Sequence, residues 1–144
     1  MFNLLMSTAI SLVFVLSLFG GKPAWAQKVV KETTYVMRGG PTIVIRTVGP
    51  VEVVKVEPFI DAKQKNKSGR LKMDVVIKNT AAEPQSYSVF GQGKTETGGW
   101  LGGVAKAPSK GKLEPGKEVT AKVTTRYEGK SVPDEMRLDV FPPQ

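Results

Sequence analysis

Residues Arg70–Asn79 read RLKMDVVIKN, and their alternation of apolar and polar side chains is the clearest strand pattern in the chain. A strand points successive side chains to opposite faces of a sheet, so every second residue shares a face. One face of this strand is apolar, and the other carries Lys72, Asp74 and Lys78. We expect the apolar face to form part of a core through Leu71, Met73, Val75 and Ile77.

Short segments with a similar pattern lie on both sides of this strand. The strand candidates are 28–37, 42–48, 51–59, 86–90, 117–127 and 136–141. Turn residues separate them, and Leu113–Gly116 has proline and glycine at the positions that a type II turn requires. About seven or eight short strands with such spacing predict an all-β, antiparallel β-sandwich. A closed barrel is the alternative topology, and the sequence does not separate the two.

The first 26 residues predict an export signal. Leu4–Phe19 is a mainly apolar run, and Ala24–Ala26 provides the small-x-small pattern that signal peptidase cleaves. The alternative is a retained membrane anchor. We therefore expect a periplasmic or extracellular protein with a signal peptide at 1–26, an extended arm or edge strands at 27–50, and the sandwich domain at 51–144.

The composition argues against catalysis. Neither cysteine nor histidine occurs, so disulfides, the commonest general base and the commonest transition-metal ligand are all excluded. Ser109–Lys112 matches a Ser-x-x-Lys spacing, but Pro108 and Gly111 argue against the helical turn that such a pair needs. We predict a protein that is not an enzyme and binds neither a metal nor a cofactor.

The charge indicates which partners suit the chain. Cleavage after Ala26 would leave 118 residues with 20 basic and 13 acidic side chains, a formal charge of +7. Such a charge favours anionic partners, for example lipopolysaccharide, acidic glycans or an acidic protein. Export argues against nucleic acid as a physiological partner, and a cleaved chain is not an integral membrane protein.

Two motifs carry a family resemblance. The strand end Val75–Thr80 (VVIKNT), the turn Leu113–Glu118 (LEPGKE) and a final strand together resemble bacterial extracytoplasmic immunoglobulin-like domains, including the FxLYD-type group. The resemblance covers about residues 51–141. It implies an immunoglobulin-like sandwich that acts in adhesion, assembly or accessory binding, and it transfers no catalytic residue.

One segment suggests docking to another protein. We expect residues 28–48 to be the docking element, because Thr42–Val48 within it is apolar on both faces, which predicts a strand that adds to the sheet edge of a neighbour. The partner would be another envelope or extracellular protein, or a second copy of this chain. The residues of this docking strand are Ile43, Val44, Ile45 and Val48.

A glycan- or anionic-polymer-binding function is the alternative. We expect the glycine-rich stretch 91–103 to be a flexible loop around Trp100, where an indole either caps the core or stacks on a sugar ring. Tyr87 and Phe90 fall on opposite faces of one strand, so one of them is free to accompany Trp100 on the surface. Two basic turns would converge if they lay at the same end of the sandwich; their binding candidates are Lys63, Lys65, Lys67, Arg70, Lys110 and Lys112.

Overall fold

The computed structural model describes residues 4–14, 29–61, 69–129 and 131–142. The regular secondary structure of these residues consists of β-strands. They contain no helix that is long and apolar enough to cross a membrane. The strands are β1 (Leu4–Phe14), β2 (Val29–Met37), β3 (Thr42–Val48), β4 (Val51–Asp61), β5 (Arg70–Asn79), β6 (Tyr87–Lys94), β7 (Trp100–Ala107), β8 (Glu118–Arg126) and β9 (Glu135–Phe141).

The strands form two sheets that pack as a sandwich. One sheet has the order β1-β2-β3-β9-β6-β7, and we call it sheet A; the other, sheet B, has the order β4-β5-β8. Neighbouring strands are antiparallel except β3 and β9, which are parallel. The prediction of an all-β sandwich is confirmed. The predicted cleavage site at Ala24–Ala26 lies outside the described residues.

The core lies between the inner faces of the two sheets. The apolar face of β5 is completely covered, as its alternation predicts, and Leu71, Val75 and Ile77 have no exposed surface. Facing residues of sheet A, such as Ile43 and Leu138, are equally buried. Burial of side chains of this size contributes about 1.5–3 kcal/mol each, so this interface supplies the main stabilisation of the fold.

The glycine-rich stretch is strand, which corrects its interpretation as a loop around Trp100. β6 continues to Lys94, a turn closed by the bond from the Thr95 N–H to the Gly99 carbonyl follows, and β7 begins at Trp100. Gly93 faces inward, where a Cβ atom would lie 2.7 Å from Leu71 Cδ2. Gly91 similarly faces the Met73 side chain. The ends of the Met73 and Leu71 side chains therefore occupy the space that a Cβ atom would need at these two glycines.

One buried asparagine joins the two motifs that carry the family resemblance. Asn79, at the end of β5, donates from Nδ2 to the carbonyl oxygens of Leu113 (2.7 Å) and Glu83 (2.9 Å). The Gly116 N–H in turn donates to the Asn79 carbonyl at 2.8 Å. The strand end and the Pro-Gly turn are thus one hydrogen-bonded unit.

Residues 27–50, expected to be an extended arm or edge strands, include β2 and β3 of sheet A as far as they are described. β3 lies between β2 and β9, and its side chains Ile43 and Ile45 are buried in the same core as β5. A boundary at residue 51 would therefore cut through one sheet. The continuous core is the physical reason why residues 29–50 fold together with the rest.

Candidate functional site

The outer strands of the two sheets differ in how their unpaired main-chain groups are protected from pairing with another chain. Setting aside β1, which lies inside the predicted leader, the outer strands are β2 and β7 in sheet A and β4 and β8 in sheet B. An outer strand presents unpaired N–H and C=O groups, which pair with other chains unless a bulge, a proline or a covering segment prevents it. The candidate site follows from comparing these four strands.

The edge of β4 is interrupted twice. Its pairing with β5 shifts register between Val53 and Lys55, so that Val54 is an extra residue without a partner on β5. Pro58 lies farther along the same strand and lacks an N–H group. A bulge and a proline are the devices that discourage edge pairing, and β4 carries both.

The edges of β7 and β8 lie against each other. Gly103 of β7 approaches the main chain of β8 so closely that a Cβ atom would collide with the Thr124 carbonyl group. The two sheets therefore meet along this side of the sandwich. This close approach hinders the pairing of another strand with β7 or β8 at this point.

The edge of β2 has neither kind of protection. Its nine residues contain no proline or glycine, and its pairing with β3 runs without a register shift from Val30↔Val48 to Val36↔Thr42. Among the described residues, only β1 pairs with its other side. If the leader is removed after Ala26, β2 becomes a regular and uncovered edge.

The hydrogen bond at the β2–β3 turn shows which residues of β2 face this edge. The Met37 N–H donates to the Pro41 carbonyl oxygen at 3.1 Å, on the β3 side. Main-chain groups alternate in direction along a strand, so Tyr35 and Thr33 also face β3. The groups directed toward the edge are therefore those of the alternate residues Val30, Glu32, Thr34 and Val36.

An open cleft follows the inner face of β2. Its volume is about 270 Å³, and it lies between β2 and the beginning of β4, with Lys31, Thr33 and Tyr35 on one side and Glu52 on the other. Burial raises the pKa of the Tyr35 hydroxyl, and the nearby Glu52 carboxylate raises it further. The cleft thus places a partly buried phenol beside a carboxylate next to the edge.

A row of charges crosses the outer face of sheet A beside β2. Arg46 Nη2 lies 3.8 Å from Glu32 Oε2, and Arg46 Nε lies 3.9 Å from Asp139 Oδ1. Burial raises the pKa of the Asp139 carboxyl and Glu32 acts in the same direction, whereas Arg46 and Arg137 oppose the shift. These contacts tie β2 to β3 and β9 on the side opposite the cleft.

The four residues predicted for docking lie in β3, which has no open edge. Ile43 and Ile45 are buried, Val44 and Val48 are half-buried, and the strand pairs with β2 on one side and β9 on the other. The prediction that this strand itself adds to a neighbouring sheet is wrong for this reason. Its apolarity on both faces reflects an internal position in sheet A.

The three aromatic candidates separate between core and surface. Tyr87 is buried, and its hydroxyl lies 2.8 Å from the Pro50 carbonyl oxygen and 3.0 Å from Asn79 Oδ1. Phe90 and Lys94 alternate with inward-facing residues of β6, so their side chains lie on the outer face of sheet A. Trp100 pairs with Lys94 and therefore shares that face. The Trp100 ring stacks with the guanidinium of Arg137, whose central carbon lies 4.1 Å from the ring centroid.

The two basic turns do not converge in the part of the chain that the structure describes. Lys63, Lys65 and Lys67 lie outside the described residues, and Arg70 is exposed at the beginning of β5. Lys110 and Lys112 are exposed in the loop that contacts Asn79, at the other end of the same strand. Ten residues of strand separate these ends by about 30 Å, so Arg70 and Lys110 belong to opposite ends of the sandwich.

The edge-facing residues of β2 were not among the site residues derived from the sequence. The alternation of 28–37 does indicate a strand at an edge, but its pairing partner is not visible in a single sequence. Comparisons of the chain with protein-family models, with curated proteins and with solved structures find no match. The resemblance to immunoglobulin-like domains remains a prediction.

Proposed function

We propose that this protein is an exported, non-catalytic interaction module that joins an envelope or extracellular assembly by accepting a partner strand at the edge of β2. The observation that carries the proposal is the difference among the outer strands. β4 is interrupted by a bulge and Pro58, and β7 and β8 lie against each other, whereas β2 is regular and, among the described residues, pairs on its outer side only with a segment of the predicted leader.

The chemistry of such an interaction needs no specialised side chains. Main-chain hydrogen bonds along an added strand supply affinity, and pockets for alternate side chains supply specificity. The cleft lined by Lys31, Tyr35 and Glu52 is positioned to receive side chains from the inner face of an added strand. Export and the envelope location rest on the leader pattern and on the basic composition of the remaining chain.

The alternative function, glycan or anionic-polymer binding, has narrower support. Trp100 and Phe90 share the outer face of sheet A, which is where a sugar-binding surface would require them. However, Arg137 already covers one face of the Trp100 ring, and the exposed basic residues Arg70 and Lys110 lie at opposite ends of the sandwich. These contacts favour the strand-addition function.

The experiment uses the segment that pairs with β2 as a probe. The full chain is expressed in an exporting bacterial host, the recovered protein is checked for its N-terminal residue, and a labelled peptide of residues 4–14 with added flanking lysines is titrated by fluorescence anisotropy. We expect saturable binding, because the edge offers main-chain groups over nine residues. Thr34→Pro should reduce binding at least tenfold, because it removes an N–H that faces the edge.

Thr120→Lys, on the exposed outer face of β8, is the matched control and should bind the peptide like the parent protein. Equal binding by Thr34→Pro and the parent protein would contradict the proposal. Recovery of a chain that still begins at Met1 would also contradict it, because β1 would then remain on the β2 edge.

A further inference from the structure

The proposed function leaves open which strand occupies the β2 edge, and the sequence of β2 itself answers this. We propose that the occupant is a second copy of the chain, with two β2 strands paired antiparallel about a two-fold axis at Thr33. This inference rests on the proposed function and goes beyond it by naming both the partner and the register.

The direction of the N–H and C=O groups, which alternates along β2, restricts the possible registers. Residues that face the edge must pair with residues that face the edge, because only then do the N–H and C=O groups of both strands meet. These residues are the even-numbered members of β2, as the Met37-to-Pro41 hydrogen bond establishes. A two-fold axis can therefore pass through a residue position of β2 but not between two adjacent ones.

The axis at Thr33 is the one that uses the whole strand. β2 spans Val29–Met37, so Thr33 is its central residue and all nine residues acquire partners. Val30 would pair with Val36, and Glu32 with Thr34, each pair exchanging two main-chain hydrogen bonds. The two-fold axis repeats each of these pairs, so the two strands would form about eight such bonds, and sheet A would become continuous across the dimer.

The side chains are compatible with this register on both faces. On the outer face, the exposed Val36 would meet the half-buried Val30 of the second copy, so that an exposed apolar side chain gains cover. On the inner face, Lys31 would lie opposite Tyr35 of the second copy, an arrangement that suits a cation and an aromatic ring. Since Tyr35 and Glu52 line the same cleft, the incoming Lys31 would also approach a carboxylate.

The neighbouring registers are less favourable. An axis at Glu32 would place two glutamates directly opposite each other, and like charges in that position destabilise a sheet. An axis at Thr34 would extend pairing past Met37 into the turn, where Val30 would oppose Arg38. The register centred on Thr33 has no pair of like charges and no partner outside the strand.

A cysteine scan tests partner and register together, because the chain contains no cysteine of its own. In the proposed register Thr33 faces its own copy in a pair without hydrogen bonds, where Cα atoms are about 4.5 Å apart and a disulfide can form. Thr33→Cys should therefore give a disulfide-linked dimer in the oxidising envelope. Thr34→Cys faces Glu32 of the other copy and should remain mainly monomeric on a non-reducing gel.

Thr120→Cys, exposed on β8, is the control for random collision and should also remain mainly monomeric. Dimer in the Thr34→Cys variant rather than in Thr33→Cys would overturn the register. Absence of disulfide dimer in all three variants would overturn the second copy as occupant, whereas binding of the peptide probe to β2 would still support the proposed function. If peptide binding were lost as well, the result would contradict both the second copy as occupant and the proposed function.

Discussion

Without the β1 segment of the predicted leader, the strands β2 and β4 are both outer strands of the same sandwich, yet they are built differently. β4 contains a bulged residue, Val54, and a proline, Pro58, and both disturb the repeat of main-chain groups that another strand would need. β2 keeps that repeat over nine residues. The comparison shows that one edge is protected by its own sequence, while the other is covered by a segment within the predicted leader.

Under the proposed function, this difference links export to assembly. A regular edge is an aggregation hazard during synthesis, because it pairs readily with any extended chain. In the structure, β1 pairs with that edge from Leu4↔Met37 to Phe14↔Val29. If the leader is removed on export, the edge becomes available only at the site where the protein acts. β4 needs no such cover because its bulge and proline are permanent.

The largest expected effect comes from prolines placed on the two sides of β2. Thr33→Pro should destabilise the fold by about 1–3 kcal/mol, because it removes an N–H that pairs with β3. Thr34→Pro faces the edge and should change the free energy of unfolding by less than about 1 kcal/mol. Urea denaturation followed by circular dichroism measures both values. Equal losses would mean that the assignment of edge-facing residues is wrong.

A second prediction compares two valines with equal exposure, one on each edge. Val36 on β2 is 45% exposed and Val54 on β4 is 46% exposed. Val36→Lys should weaken self-association about tenfold, which corresponds to about 1.4 kcal/mol, because it places a charge at the pairing edge. Val54→Lys should leave association unchanged. Analytical ultracentrifugation over a concentration series gives the constants, and an equal effect of both changes would remove the distinction between the edges.

The smallest expected effect concerns two carboxylates, that of Asp139 on β9 and that of Glu57 on β4. The pKa of Asp139 is raised above its ordinary value of 3.8, first by burial and also by Glu32, so the folded state binds this proton more tightly than the unfolded state. Ionised Asp139 therefore lowers stability at neutral pH, and that penalty is lost as the pH falls through the folded-state pKa toward 3.8.

Asp139→Asn should accordingly match or slightly exceed the parent protein in thermal midpoint at pH 7, and this advantage should shrink toward pH 4. The control is Glu57→Gln on β4, whose carboxylate makes an exposed ion pair with Lys55 at 2.6 Å. Exposed pairs contribute about 0–1 kcal/mol, so a change no larger than this is expected there at pH 7. Thermal melts between pH 4 and pH 7 provide the measurement. A clear loss of stability in Asp139→Asn at pH 7 would contradict the inference that ionised Asp139 destabilises the folded state.

The sequence predicts the fold well where one face of a strand is buried and the other is exposed. β5 is the best example, because its alternation identifies both its bounds and its core residues. β6 and β7 were harder to predict, since Gly91, Gly93 and Gly103 occupy strand positions only because neighbouring elements approach closely. That approach is a property of the tertiary structure, and a single sequence carries no local signal for it.

The candidate site depends on pairing, which explains why the sequence located it only in part. The run Thr42–Val48 is apolar on both faces, and this pattern fits a docking strand and an internal strand equally well. The parallel pairing of β3 with β9 decides between them, and it joins segments more than 80 residues apart. β2, in contrast, looks like an ordinary half-exposed strand, and its importance appears only when the protection of the other edges is known.

Residue-resolved amide hydrogen exchange of the processed protein tests the central claim most directly. The amides of Thr33 and Tyr35, which face β3, should be protected at every protein concentration. The amides of Glu32 and Thr34, which face the edge, should become protected only as concentration rises, while Val54 of β4 exchanges rapidly throughout. Rapid exchange of Glu32 and Thr34 at all concentrations, or concentration-dependent protection on β4 instead, would contradict the account.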